Sequence, residues 1–384
     1  MICELEVKRR VHAHLIELDH SDMRRSLRVA EGVNLSSNDY LGLAHHPLVK
    51  ERMVQTIQRE GCGSTGSRLL SGHRETFARL ERRFARWKRT EGALFFGCGY
   101  LANLGVMTTF PKEGDVIFSD ELNHASLIDG MRLSKARTVV FRHADLDDVA
   151  RLIEYETGPG QKFLVTESVF SMDGDEAPLA EYAALSRATE TALIVDEAHA
   201  VGVWGARGSG LIEEMGIESD VFISINPAGK ALGVGGAFVT GENWAIDYLV
   251  QCARPLIFST APPPAIAGAL DAALDVIEAE PERRARLLNL SVHFREKLIS
   301  EGLQVKPGCS QIVPIVLGDS EQTVAVSEDL QAQGFDVRPI RPPSVPQNSC
   351  RFRVSLNVDL EEAVLDEFSE TLASILYERA GVVA

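Results

Sequence analysis

Short, almost wholly apolar runs recur through the first two thirds of the chain, at 93–96, 115–118, 138–141, 163–166, 193–195 and 221–225. Each is too short for a helix and rich in Val, Ile, Leu and Phe, the composition of a strand buried on both faces. Amphipathic helical patterns fall between them, for example at 145–155 and 179–189. Strands and helices alternating in this way build an α/β domain with a mostly parallel sheet covered on both sides. Ligands of such sheets gather beyond the carboxyl ends of the strands, so the residues that follow each run are where chemistry is expected.

The pattern changes after the proline-rich stretch 255–264. Helical periodicity covers 265–279 and 283–301, and strand-like runs at 312–316 and 350–356 predict a smaller α+β domain. The expected organisation is an N-terminal helix and active-site segment over 1–45, a ligand-binding large domain over 46–280, and a small domain over 281–384. The opening helix is expected to occupy residues 1 to about 30. Over 76–88, Phe77, Leu80, Phe84 and Trp87 recur at helical spacing, and Arg79, Arg82, Arg83 and Arg86 form an opposite face expected to be solvated.

Bulk properties exclude several function classes. A net charge of -16 over 384 residues argues against nucleic acid as a partner. No apolar run reaches the length of a membrane span, and the first residues are too acidic to open a signal peptide. The six cysteines are scattered without a Cys-x-x-Cys pair, which predicts reduced thiols, no metal site and a cytoplasmic location.

The strand ends carry polar groups of a coherent kind. After 93–96 comes Gly97-Cys98-Gly99-Tyr100, a glycine turn into a helix whose free N–H groups suit phosphate. After 115–118 comes His124 at a helix start, able to present a flat ring to an aromatic ligand. Ser171 follows the run at 163–166, and Asp196 and His199 follow 193–195. Asp196 ends an apolar strand, where a carboxylate is costly unless a cation or several donors hold it. Lys230 lies in the glycine-rich turn after 221–225. A lysine partly desolvated in such a turn has a lowered pKa and can attack a carbonyl. Together these parts meet the needs of pyridoxal 5'-phosphate: an amine for its aldehyde, amides for its phosphate and an acid for its ring nitrogen.

The motifs Asn38-Asp39-Tyr40-Leu41-Gly42, Gly63-Ser64-Thr65-Gly66-Ser67-Arg68, Asn123-His124-Ala125-Ser126, Asp196-Glu197-Ala198-His199 and Lys230-Ala231-Leu232-Gly233 resemble the α-oxoamine synthase family in content and order. That family belongs to the aspartate-aminotransferase-like, fold-type I enzymes. The segment 340–346 with Arg351-Phe352-Arg353 is similar to the branch that joins L-alanine to a pimeloyl thioester. The resemblance also leaves open the branches that use glycine or serine, and a binding protein that has lost catalysis.

The resemblance implies specific roles. Lys230 holds the cofactor and moves the α-proton, Asp196 pairs with the pyridine N–H, and His199, with Ser171, bonds the phenolic oxygen. His124 stacks on the ring, and Cys98, Gly99 and Tyr100 hold the phosphate through backbone groups. Thr260 of a second subunit completes that pocket, which implies a homodimer. Arg353 binds the amino acid carboxylate, with Asn38 as a second contact. The implied partners are L-alanine and an acyl thioester carried on acyl carrier protein or coenzyme A. One position departs from the family: a hydroxyl residue, usually threonine, precedes the lysine by three, and here Pro227 stands there. Ser224 and Asn226 are the neighbouring polar groups able to replace that hydroxyl.

Overall fold

The computed structural model describes residues 5–21 and 23–379; Cys3 and the rest of the acidic opening residues 1–4 lie outside them. The strands, in chain order, are β1 Val33–Asn34, β2 Gly92–Phe96, β3 Val116–Asp120, β4 Arg137–Phe141, β5 Lys162–Glu167, β6 Ala192–Asp196, β7 Val221–Pro227, β8 Ala237–Gly241, β9 Ile312–Gly318, β10 Phe335–Asp336, β11 Pro339–Ile340 and β12 Cys350–Ser355. Every strand run expected from the sequence is present. The opening helix is shorter than expected, spanning Glu6–His20.

The chain divides into two compact units. The larger holds Asn38–Leu288 with Asn357–Asp359, and the other holds Met1–Ser37, Asn289–Leu356 and Leu360–Ala384. The larger unit is built on a seven-stranded sheet of order β2-β8-β7-β6-β5-β3-β4. Only β8 runs against its neighbours; the other pairings are parallel. The carboxyl ends of β2, β3, β5, β6 and β7 therefore open on the same edge. This edge receives the glycine turn, His124, Ser171, Asp196, His199 and Lys230. The architecture is the α/β fold-type I arrangement.

Apolar runs become central strands because both faces are covered. Ile223 and Ile225 of β7 and Val239 of β8 pack with Ala102, Val106 and Met107 of the helix Gly99–Thr109, all shielded from water. On the helix Glu75–Lys88, Phe77, Leu80, Phe84 and Trp87 are buried. Phe84 stacks on Phe238 of β8 at 3.8 Å between centroids. Each such side chain contributes roughly 1.5–3 kcal/mol by leaving water. The arginine face differs from expectation at one position. Arg79, Arg82 and Arg86 are exposed, but Arg83 pairs with Asp271, Asp275 and Glu278 of the helix Pro264–Ala279.

In the smaller unit, β9, β11 and β12 form an antiparallel sheet of order β11-β12-β9, and β1 pairs in parallel with β10. Arg353, on β12, is largely buried and donates to Ser355 Oγ at 2.5 Å. Among the described residues, no helix is long and apolar enough to cross a membrane.

One buried ion pair ties the sheet edge to its surroundings. Lys88 Nζ pairs with the Glu197 carboxylate and donates to Ser209 O at 2.6 Å, and both side chains are almost completely shielded. Glu197 also accepts the Ile212 N–H at 3.0 Å, so it fixes the 205–212 loop against the end of β6. Removing one partner strands the other charge. We expect Lys88→Met to cost about 3–5 kcal/mol in urea unfolding, and Lys88→Met with Glu197→Leu to recover much of it. A single variant as stable as the wild type would rule out this anchoring.

Candidate active site

Asp196 ends β6 almost fully buried. An ionised carboxylate is tolerated there because donors meet both oxygens. Ala198 N–H reaches Oδ1 at 2.9 Å, and Asn103 Nδ2 reaches Oδ2 at 2.8 Å. Asn103 lies on the helix Gly99–Thr109 and also donates to Ser126 Oγ at 2.8 Å. Ser126 Oγ in turn lies 2.7 Å from His124 Nδ1, and the Ser126 N–H donates to that nitrogen at 3.2 Å. A continuous hydrogen-bonded path thus runs from Asp196 to His124, the N-cap of the helix Ala125–Leu133. Burial lowers the His124 pKa, Asp196 opposes the shift and the Lys230 charge adds to it. The ring is neutral at pH 7, with Nδ1 as acceptor and its proton on Nε2.

Glu167 ends β5 directly opposite Asp196 in the strand register. Burial first, and then the charge of Asp196, pushes its carboxyl well above the usual carboxylate range, although Lys230 and the His124 N–H act the other way. Its Oε1 is buried without a hydrogen-bond partner, as suits a group kept protonated. Two ionised acids side by side repel, which is why the charge of Asp196 adds to burial in raising the Glu167 carboxyl.

Lys230 lies half-buried in the turn between β7 and β8. The turn closes through Ala228 N–H to Gly236 O at 2.9 Å and Gly233 N–H to Lys230 O at 2.8 Å. Gly233 has φ +68° and lies so near the backbone of Leu43 and Ala44 that a Cβ would approach Ala44 N to 2.4 Å. This close approach is why the lysine turn is glycine-rich.

His199 is buried, and its Nδ1 lies 2.6 Å from the Tyr40 hydroxyl. That hydroxyl is 3.0 Å from Asn38 Oδ1, which brings Asn38 into the same group. Cys98 is the N-cap of the helix Gly99–Thr109 and is exposed. Gly99 faces Pro227, and a Cβ at Gly99 would come within 2.8 Å of Pro227 Cγ. Tyr100 is exposed and its hydroxyl bonds Asp129. Thr260 is exposed and pairs across a β-bridge with Ser67.

The expected replacement for the missing hydroxyl fails on geometry. Ser224 and Asn226 alternate with Pro227 along β7 and so point to the opposite face from Gly99. Ser224 Oγ is bonded to Thr240 Oγ1 at 2.7 Å, and Asn226 Nδ2 donates to Ser224 Oγ at 3.0 Å. Both are committed to the far side of the sheet.

Sequence reasoning missed Asn103, Glu167 and His143, and gave Tyr40 and Ser126 no role. His143 follows β4 and bridges two carboxylates: Nδ1 lies 2.9 Å from Asp120 Oδ1 and Nε2 lies 2.8 Å from Asp175 Oδ2. It thereby joins the end of β3, which leads to His124, to the loop that carries Ser171. Burial alone would lower its pKa, but the hydrogen bonds and charges of Asp120 and Asp175 outweigh burial and raise it to about 10. A histidine whose pKa is higher folded than unfolded adds stability fully present below its unfolded value near 6.5 and lost as pH rises through about 10. We expect the stability gap between wild type and His143→Gln, from urea midpoints, to be largest near pH 6 and to shrink towards pH 10. A gap that does not change with pH would contradict the double clamp.

Comparisons with known proteins agree with this geometry. A family model described as aminotransferase class I and II matches residues 30–372. The 8-amino-7-oxononanoate synthase of Anaeromyxobacter dehalogenans is 44% identical over 380 residues, covering 95% of each chain. Serine palmitoyltransferase of Sphingomonas wittichii superposes with a TM-score of 0.92 at 28% identity, covering 99% of this chain and 100% of its own. The S. paucimobilis serine palmitoyltransferase, solved with a bound pyridoxal phosphate–myriocin aldimine, superposes with a TM-score of 0.90 at 26% identity, covering 97% and 98%.

Proposed function

The chain belongs to the aminotransferase class I and II family, and within it to the α-oxoamine synthases; on that premise we propose that it makes 8-amino-7-oxononanoate for biotin biosynthesis. It joins L-alanine to a pimeloyl thioester and releases carbon dioxide and the free thiol. The near-full-length identity with the Anaeromyxobacter enzyme carries this reading. The structural overlap with serine palmitoyltransferase comes at lower identity, 28% against 44%, and reflects a shared scaffold.

The enzyme depends on pyridoxal phosphate, and the residues fit that group. Asp196 is a buried acid with donors on both oxygens, suited to a cationic ring nitrogen. The turn at Gly97–Gly99 opens a helix N-terminus whose first N–H groups suit a phosphate, and the missing Cβ of Gly99 lets the Pro227 ring pack against that turn. When bound, the cofactor supplies an electron sink for the pair left behind when a bond to the substrate α-carbon breaks. Lys230 would hold the cofactor through its amine, and the same amine, when free, would take the α-proton. Its nearness to His124 and Glu167, whose titration it biases, supports that placement.

His124, held neutral, offers its ring face. Asp196 keeps the ring nitrogen protonated, and His199 with Ser171 binds the phenolic oxygen. Backbone groups of Cys98, Gly99 and Tyr100 bind the phosphate, and Thr260 of a second copy completes the pocket in a homodimer. Arg353 forks onto the alanine carboxylate, with Asn38 as a further contact. The acyl donor arrives on acyl carrier protein or coenzyme A, in the cytoplasm.

Incubating the purified protein with pyridoxal phosphate and competing pairs, alanine with pimeloyl-CoA and serine with palmitoyl-CoA, tests the assignment by mass spectrometry. 8-Amino-7-oxononanoate is expected to dominate; a sphingoid ketone as the main product would move the chain to the serine branch. Because Pro227 places no hydroxyl beside Gly99, Pro227→Thr is expected to tighten cofactor binding about tenfold, the scale of one hydrogen bond to a charged group. Equal dissociation constants would show that the backbone cradle suffices.

A further inference from the structure

Tyr40 is completely buried, and its phenol lies between two polar partners. His199 Nδ1 is 2.6 Å away and Asn38 Oδ1 is 3.0 Å away. The phenol has one proton to give. An amide can turn over and offer N–H instead of oxygen, so Asn38 can act as either donor or acceptor. If the shorter contact takes the proton, Tyr40 donates to His199 Nδ1, and the Asn38 amide, placed here with Oδ1 towards the phenol, turns over to present its N–H. The tyrosine is also held by its backbone, through Tyr40 N–H to Asn38 O at 2.8 Å and Val358 N–H to Tyr40 O at 3.0 Å. The hydroxyl therefore stays put while the imidazole orients against it.

A neutral imidazole that accepts at Nδ1 carries its proton on Nε2. We propose that Tyr40 is the positioning residue that holds His199 in the Nε2–H tautomer, so that His199 acts as a hydrogen-bond donor to an oxyanion of the bound ligand. The proposal rests on the functional reading above, in which that oxyanion is the phenolic oxygen of the cofactor. In the opposite arrangement Asn38 takes the phenol proton and His199 donates from Nδ1. Nε2 would then turn a lone pair on an electron-rich oxygen, which is repulsive. A hydrogen bond that fixes a histidine tautomer from behind is a known means of tuning what the other nitrogen does. The same logic operates at His124, where the Ser126 N–H occupies Nδ1.

The test reads the tautomer directly. Protein labelled with 15N-histidine, with and without pyridoxal phosphate, is compared as wild type and Tyr40→Phe; the His199 signals are those missing from His199→Gln. The expected wild-type spectrum has an unprotonated Nδ1 and a protonated Nε2 even without cofactor, and Tyr40→Phe mixes the two tautomers. The cofactor dissociation constant of Tyr40→Phe is expected to rise roughly tenfold. A protonated Nδ1 in the wild type, or an unchanged tautomer in Tyr40→Phe, overturns the proposal. The wild-type spectrum decides the tautomer even if Tyr40→Phe folds poorly. An Nε2–H tautomer in a wild-type protein that binds no pyridoxal phosphate would refute the functional reading while upholding the tautomer assignment.

Discussion

A single charged carboxylate buried at the end of β6 sets the terms for everything near it. Asp196 keeps its charge away from water only because a backbone N–H and the Asn103 amide meet its two oxygens. The rest follows from that expense. Glu167, its neighbour across the register, has its carboxyl pushed well above the usual range by burial and by the charge of Asp196. His124, linked through Ser126 and Asn103, remains an uncharged ring. The next residue in the chain, Glu197, is neutralised separately by Lys88, so its charge does not add to that of Asp196.

The loops at the sheet edge are held by clamps of a different kind. His143 joins two of them by sitting between carboxylates as a lasting cation. Close packing against a glycine joins others, as where Gly99 meets the Pro227 ring. These clamps involve few residues and long sequence separations. They order segments that must present side chains to one small volume, and this is how a site built on loops acquires the rigidity of a strand.

Much of the scaffold could be read from the chain. Continuous apolar runs separated by amphipathic ones leave few ways to build a sheet, and each expected strand is present. Lys230, Asp196, His199 and His124 drew notice because each is a polar residue at, or a few positions beyond, the end of an apolar strand. Asn103 was not, because one amide inside an apolar helix carries no motif; the signal available was that a buried Asn must find partners. Glu167 and Tyr40 sit within recognised segments, but their roles depend on neighbours across the sheet, which linear spacing does not reveal. Arg83 looked solvated for the same reason: its partners lie on the helix Pro264–Ala279, far away in sequence. The polar pair Ser224 and Asn226 misled in the other direction, since alternation along β7 turns both away from the helix start.

The contact at Gly233 makes two distant stretches of sequence a single mechanical part. With its backbone pressed against residues 43 and 44, the lysine turn has no slack to move without carrying the Asn38-to-Ala44 segment along. A chimaera that imports the lysine turn from a relative will therefore inherit that relative's site geometry only if the matching N-terminal stretch is transplanted with it.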